Sequence, residues 1–60
     1  MSLLTELFGE EVIHEPIQQI KIKILSIPQI HNEDRSYLLR DWAAIVGAKL
    51  TAQDYKDVQV

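Results

Sequence analysis

The residue types that this sequence lacks, or contains only rarely, are its most informative feature. Its 60 residues include no cysteine, two glycines, two prolines and a single tryptophan. Without cysteine, the chain can form neither a disulfide nor a thiolate zinc site. One hydrophobic core of this size rarely gives a comfortable margin of stability, and small domains usually add such a link. We therefore expect the missing support to come from a second chain, either the other half of a homodimer or a partner protein.

Positive charge and long apolar runs are also scarce. Six basic residues stand against nine acidic ones, for a net charge of −3, so an overall basic surface for nucleic acid is not expected. No apolar run approaches the roughly eighteen residues of a membrane-spanning helix. The first residues also lack the basic and apolar segments of a secretory signal. The sequence thus predicts an acidic, cytoplasmic protein whose partner is neither a membrane nor nucleic acid.

The stretch from residue 32 to 58 has the clearest organisation, that of two helices joined by a tight turn. Asn32 is the predicted N-cap, because its side chain can accept a hydrogen bond from a free amide of the first turn. Gly47 is a plausible C-cap, because glycine enters the left-handed conformation without steric cost. Apolar residues recur between and beyond them at helical spacing and predict one buried face: Leu38, Leu39, Trp42, Ala43, Ile45, Val46 and Leu50.

Two independent signals mark the start of the second helix of this pair at Thr51. Thr51 and Asp54 have the spacing of a capping box, with Asp in place of the usual Glu or Gln. Leu50 and Tyr55 occupy the two positions of a hydrophobic staple around the same cap. We therefore predict a helical boundary at this residue.

Residues 1–15 form an acidic arm with a short predicted helix at residues 2–8. Ser2 is its possible cap and Gly9 its possible stop. Its apolar stripe consists of Leu3, Leu4, Leu7 and Phe8. The following residues, 10–15, have the composition of a connector or a short strand.

The segment 16–27 fits both a helix and a strand. As a helix, it places four isoleucines on one face, with Leu25 beside them and Ile22 out of line: Ile17, Ile20, Ile24 and Ile27. As a strand, its isoleucines alternate with Lys21 and Lys23 in β-branched, period-two patterning. The helical pattern explains more residues, whereas the strand has the better propensity, so both alternatives stay open at this point.

Few residues have the spacing of a catalytic or metal site. Glu11 and His14 are three residues apart, as in carboxylate-bridged two-metal bundles, but Pro16 follows too soon for a long helix, so we interpret them as a solvated connector. His31 is interpreted as a surface histidine near a helix start. The glycines are isolated, so the sequence contains no glycine-rich phosphate loop. We predict no catalytic, metal-binding or cofactor-binding residue and no enzymatic activity.

The long helix that begins near residue 32 offers two surfaces to another chain. Its apolar face carries Trp42, which could anchor an interface, although a core position is favoured. Its opposite side carries small side chains that permit close approach of another helix, or that simply reflect alanine's helix propensity. The predicted interface residues are Tyr37, Leu38, Asp41, Trp42, Ala44, Ile45 and Ala48.

A nucleic-acid-binding alternative rests on two layouts. The chain could form a helix-turn-helix motif, but its second helix would carry Asp54 and Asp57, which repel phosphates. Residues 20–60, with the run Ile20-Lys21-Ile22-Lys23-Ile24-Leu25 before two helices and a glycine-containing turn, resemble the ribbon-helix-helix repressors. That resemblance implies a dimer whose paired strands enter the major groove, with Lys21 and Lys23 facing the DNA.

These patterns together predict a single small domain over residues 1–60 with a mainly α fold. Hydrophobic residues make up 47% of the chain, which is too many for a disordered tail. We expect three to four short helices in a small bundle, with one possible strand at residues 20–25 pairing across a dimer. The favoured function is a small non-enzymatic module for protein–protein interaction or oligomerisation that acts through an apolar helix face, and the alternative is the dimeric DNA-binding regulator.

Overall fold

Five helical segments follow one another in the computed structural model, which describes residues 3–60. They are α1 (Leu3–Phe8), a 3₁₀ helix (Glu10–His14), α2 (Ile17–Leu25), α3 (Asn32–Val46) and α4 (Ala52–Asp57). The predicted mainly helical fold with up to four short α-helices is therefore confirmed, and residues 3–60 contain no strand. None of these helices is long and apolar enough to cross a membrane.

The first helix ends where the sequence predicts, because Gly9 adopts a positive φ of 83° that breaks the helical backbone. Of its apolar stripe, Leu4 is fully buried, whereas Leu3 and Leu7 are about half exposed. Ser2, its predicted cap, lies outside the described residues. The expected connector or strand after Gly9 is instead a 3₁₀ helix, and this helix buries Val12 completely.

The ambiguous segment is helical, so the strand alternative for residues 20–25 is wrong. Helical spacing turns Ile20 and Ile24 into the core, where both are fully buried. Ile17 in the first turn and Ile27, two residues beyond the end of the helix, pack against the same core. Ile22, the residue out of line in the helical pattern, is 58% exposed. A lone strand would have left its backbone edge unpaired, whereas the helix satisfies its own backbone and buries one face.

The third helix begins at Asn32, but Asn32 is not its N-cap. His31 occupies that position in extended conformation without a side-chain capping bond. The Asn32 amide instead bonds the backbone of Val60, donating to its carbonyl and accepting from its N–H, each at 3.0 Å. At the other end, Gly47 is the predicted C-cap, with a left-handed φ of 72°.

The capping box at the start of the fourth helix is present as predicted. The Asp54 N–H donates to Thr51 Oγ1 at 3.3 Å, and the Thr51 N–H donates to Asp54 Oδ2 at 2.9 Å. Leu50 is half-buried against the core, and its expected contact with Tyr55 stays a prediction. The helix buries none of its own residues, but Val58 just after it is fully buried.

The core draws on every helical segment except α4, next to which Val58 is buried. Its buried apolar residues are Leu4, Val12, Ile20, Ile24, Leu38, Leu39, Trp42, Ala43 and Val58. Trp42 is 5% exposed, which confirms the favoured core position. Its indole Nε1–H donates to the Val12 carbonyl at 2.6 Å, so the tryptophan also fixes the 3₁₀ helix against α3.

A buried arginine joins α2 to α3, and the sequence analysis did not anticipate it. Arg35 is 4% exposed. Its Nη1 donates to the Ile24 carbonyl at 2.6 Å and its Nη2 to the Ile27 carbonyl at 2.7 Å. These carbonyls lie at and just beyond the C-terminus of α2, where the helix dipole is negative. The positive charge of Arg35 is therefore stabilised by backbone oxygens instead of a carboxylate.

Candidate protein–protein interface

The third helix has one side in the core and one side in solvent. Leu38, Leu39, Trp42 and Ala43 are on the buried side. Successive residues of an α-helix are about 100° apart around its axis, which places Tyr37, Arg40, Asp41 and Ala44 on the opposite side. We name these four residues the outer face of α3. Tyr37, Arg40 and Ala44 are exposed, and Asp41 is half-buried.

The structure divides the predicted interface residues between core and surface. Leu38 and Trp42 are buried within the chain, so they are not available to another molecule, which corrects their place in the predicted interface. Ile45 is 44% exposed, because it lies at the edge of the buried side, and Ala48 is exposed in the turn after the helix. Tyr37 and Ala44 are exposed and Asp41 is half-buried, so their place in an interface stays a prediction.

Tyr37 and Ala44 form the middle of the outer face. Tyr37 is 58% exposed, and Ala44 lies two turns further along the helix on nearly the same line. Exposed helix positions usually carry long polar side chains that keep a surface solvated. Here the middle of the face presents an aromatic ring and a methyl group instead, which leaves an apolar strip open to solvent.

Two charged residues, Arg40 and Asp41, flank this strip, and neither side chain forms an ion pair or hydrogen bond within residues 3–60. Asp41 Oδ2 is closed off from solvent without any donor, and such an unpaired buried oxygen costs about 1–3 kcal/mol or more. Sequence reasoning missed Arg40 because it considered the small residues of this side. The position of Arg40 next to the stripe of small residues was a signal in the sequence that could have identified it.

A cleft of about 480 Å³ runs beside the outer face, between α3 and the C-terminal segment. It is lined by Asn32, Glu33, Ser36, Tyr37, Arg40, Tyr55 and Gln59. Tyr37 and Arg40 therefore belong both to the cleft and to the outer face. The position of α4 determines the cleft's far wall, because Tyr55 is on that helix.

Lys21, a DNA-contacting residue in the alternative prediction, instead joins α2 to α4. Its Nζ lies 2.7 Å from Asp54 Oδ1 and 2.8 Å from Asp57 Oδ2. The hydrogen bonds to the two carboxylates raise the pKa of Lys21. The same bonds lower the pKa of Asp54 and of Asp57. These two ion pairs form a triad of charged groups, the ion triad, which engages the Lys21 ammonium group within the chain.

Lys23, the second predicted DNA contact, is also engaged internally. Its Nζ is 3.5 Å from Glu15 Oε1 and 5.8 Å from the centre of the Phe8 ring. An ammonium group within about 6 Å of an aromatic ring is attracted to the face of that ring. Lys23 therefore helps to hold α1 and the end of the 3₁₀ helix against α2.

The remaining candidate groups, Glu11, His14 and His31, are all exposed. Residues 3–60 contain no cluster of three or more histidine, aspartate or glutamate side chains arranged to hold a metal ion. No protein-family model, curated protein or solved structure matches this chain.

Proposed function

We propose that this chain is a small, non-enzymatic interaction module that binds another protein chain through the outer face of α3. The observation that carries the proposal is the exposed strip of Tyr37 and Ala44 between two charges that have no partner within residues 3–60. Tyrosine and arginine are among the residues that contribute most to binding energy in protein interfaces. The face combines both with a small residue that allows close helix approach.

The modest size of the core supports the same function. A chain of 60 residues buries a smaller share of its unfolded surface than a larger domain does, so its own stability is limited. A partner that binds the folded state alone adds stability in proportion to its concentration and affinity. Covering Tyr37 would remove a half-exposed aromatic ring from water and would add to the apolar area already buried.

A photoreactive phenylalanine analogue at position 44 tests the proposal in cells that naturally express the protein. We expect covalent adducts of one defined mass, formed much more often than with the analogue at the exposed position Gln18 on α2. Tyr37→Glu should abolish these adducts, because it places a charge in the apolar strip.

Ile22→Glu is the matched control, because Ile22 on α2 and Tyr37 on α3 are both 58% exposed. It should leave the adducts at position 44 unchanged, and circular dichroism should show that both variants remain helical. The proposal is overturned if positions 44 and 18 give equal yields, or if Tyr37→Glu and Ile22→Glu have the same effect.

A further inference from the structure

We infer that the partner of this chain places a short proline-rich segment in the cleft between α3 and the C-terminal segment, with a basic residue beside Glu33 and an acidic residue beside Arg40. This inference rests on the proposed function and adds the chemistry that the cleft recognises in the partner. It follows from the two charges of the cleft, from its two tyrosine rings and from its unused hydrogen-bonding groups.

The α3 wall of the cleft carries a negative charge near one end and a positive charge at the other. Glu33 and Arg40 both line the cleft. Both residues are exposed, and neither side chain forms an ion pair or hydrogen bond within residues 3–60. Seven residues of helix separate them by about 10 Å along the axis and about 20° around it, so they lie on one line of α3. A segment that pairs with both must carry two opposite charges at a similar spacing, which the uniformly negative backbone of a nucleic acid does not.

Two tyrosine residues line the cleft from different helices. Tyr37 lies between Glu33 and Arg40 along α3, and Tyr55 belongs to α4 on the other wall. Tyr37 is 58% exposed, and Tyr55 is half-buried. Grooves lined by aromatic side chains are a recurring way to bind proline-rich segments, which are already ordered as polyproline II helices and lose little entropy on binding.

The spacing of the two charges fits the same conformation. A polyproline II helix has three residues per turn and rises about 3.1 Å per residue, so residues three apart lie on the same side, roughly 9 Å from each other. In a β-strand, residues three apart point to opposite faces. The segment therefore has one basic and one acidic residue separated by two prolines, and this spacing matches the line from Glu33 to Arg40.

The remaining polar groups of the cleft favour a segment whose backbone is free to bond. The side chains of Ser36 and Gln59 line the cleft and have no hydrogen bond within residues 3–60. The carbonyl groups of a polyproline II helix have no internal partner, so they can accept from the Ser36 hydroxyl and the Gln59 amide. An α-helical segment bonds its backbone internally and would leave these donors unused.

Three short peptides with acetylated and amidated ends test the inference by NMR titration of the labelled chain: Lys-Pro-Pro-Glu, Lys-Pro-Pro-Lys and Glu-Pro-Pro-Glu. Physiological salt largely screens the charges outside the cleft. Wild type should bind the mixed peptide about tenfold more tightly than either like-charged peptide, because each of those sets one like charge against the cleft. The largest shifts should be at the amides of Ser36, Tyr37, Tyr55 and Gln59.

Charge variants should change this preference in opposite directions. Glu33→Lys makes both charges of the cleft positive, so it should bind Glu-Pro-Pro-Glu best. Arg40→Glu makes both negative, so it should bind Lys-Pro-Pro-Lys best. The matched controls are Glu11→Lys and Lys49→Glu, which change the net charge equally at exposed positions outside the cleft. Both controls should keep the wild-type preference for the mixed peptide.

The inference is overturned if wild type binds none of the peptides at millimolar concentration, if it binds all three equally, or if the controls change preference as the cleft variants do. If a charge variant does not fold, as circular dichroism would show, the wild-type comparison still decides. The proposed function has a separate readout. Photoadducts at position 44 without any peptide preference would mean that a partner binds the outer face but does not enter the cleft. A peptide preference without photoadducts would refute the outer face and leave the cleft as a binding site.

Discussion

The buried guanidinium of Arg35 provides a quantitative test of how α2 and α3 are joined. Arg35→Met keeps an unbranched apolar stem but removes the guanidinium group, and with it the charge and both donors. The Ile24 carbonyl would still accept a bond from the Ile27 N–H at 3.2 Å. The Ile27 carbonyl would lose its donor from Arg35, which lies at 2.7 Å. The carbonyls of Ile24 and Ile27 would therefore each lose one hydrogen bond, and the Ile27 carbonyl would need a new donor.

The size of the effect is a balance of two opposing terms. Hydrogen bonds to charged groups contribute about 1.5–3 kcal/mol each, so two of them give roughly 3–6 kcal/mol. Burying the cation costs several kcal/mol, and the methionine variant avoids this cost. We expect Arg35→Met to lower the free energy of unfolding by about 2 kcal/mol. This is a large share of the total, since a chain of this length typically has about 3–9 kcal/mol.

Urea unfolding followed by the fluorescence of Trp42 measures this difference. With a denaturant dependence of about 1 kcal/mol per molar urea, the expected loss shifts the midpoint down by about 2 M. Arg35→Lys should fall between wild type and Arg35→Met, because an ammonium group cannot span both carbonyls as a planar guanidinium does. Lys49→Met, exposed in the turn after α3, is the control. Equal midpoints for Arg35→Met and Lys49→Met would refute the assigned role of the arginine.

Three further outcomes test other contacts. Thr51→Ala should destabilise the fold by about 1 kcal/mol through loss of the cap, measured by urea unfolding, and a variant as stable as wild type would contradict this. Trp42→Phe should cost about 2 kcal/mol, because it leaves the Val12 carbonyl with only the longer bond from the Glu15 N–H, at 3.4 Å, and removes ring volume; thermal unfolding by circular dichroism measures it. The pKa values of Asp54 and Asp57 are lowered by Lys21, so their stabilisation is present above the ordinary carboxyl pKa of 3.8 and is lost as the pH falls through the lower folded values. The stability advantage of wild type over Lys21→Met should therefore shrink as the pH falls from neutral into strong acid, and a difference that does not change with pH would contradict the ion triad.

The parts of the fold that depend on neighbouring residues could be predicted from the sequence. The cap at Thr51 and the stop at Gly47 are set by side chains and backbone conformations within one turn. The helix of residues 17–25 also followed from its pattern, since the spacing of its isoleucines outweighed their β-branched propensity once a core was available to bury them. Such tertiary burial regularly decides between helix and strand where propensity alone is divided.

Contacts between distant parts of the chain could not be predicted in the same way. Asn32 has the local chemistry of an N-cap, but its amide bonds Val60, 28 positions away. Arg35 was a different case, since it lies three and four residues before Leu38 and Leu39 and so belongs to the buried stripe. A charged residue in a core stripe is a signal of a buried polar contact, although its acceptors depend on the packing of α2.

The candidate site was predicted in part for the same reason. The outer face was recognised from the unusual residues Tyr37 and Ala44, which are local features of one helix. Leu38 and Trp42 were included because an apolar helix face can fill a core or meet a partner, and sequence alone does not separate the two. The involvement of Lys21 with α4 required the three-dimensional arrangement of two helices that are distant in sequence.

The two hydrogen bonds between Asn32 and Val60, which we call the clamp, depend on the side chain of residue 32 but not on the side chain of residue 60. Asn32 recognises only the N–H and carbonyl of residue 60, while the valine side chain is 82% exposed. Nearly any amino acid could stand at position 60 and keep both bonds, whereas proline alone lacks the N–H that the clamp requires. In related sequences, the residue at position 60 could therefore vary without changing the fold. The side chain that these two bonds require is the asparagine 28 residues earlier, so position 32 is the one expected to stay constant.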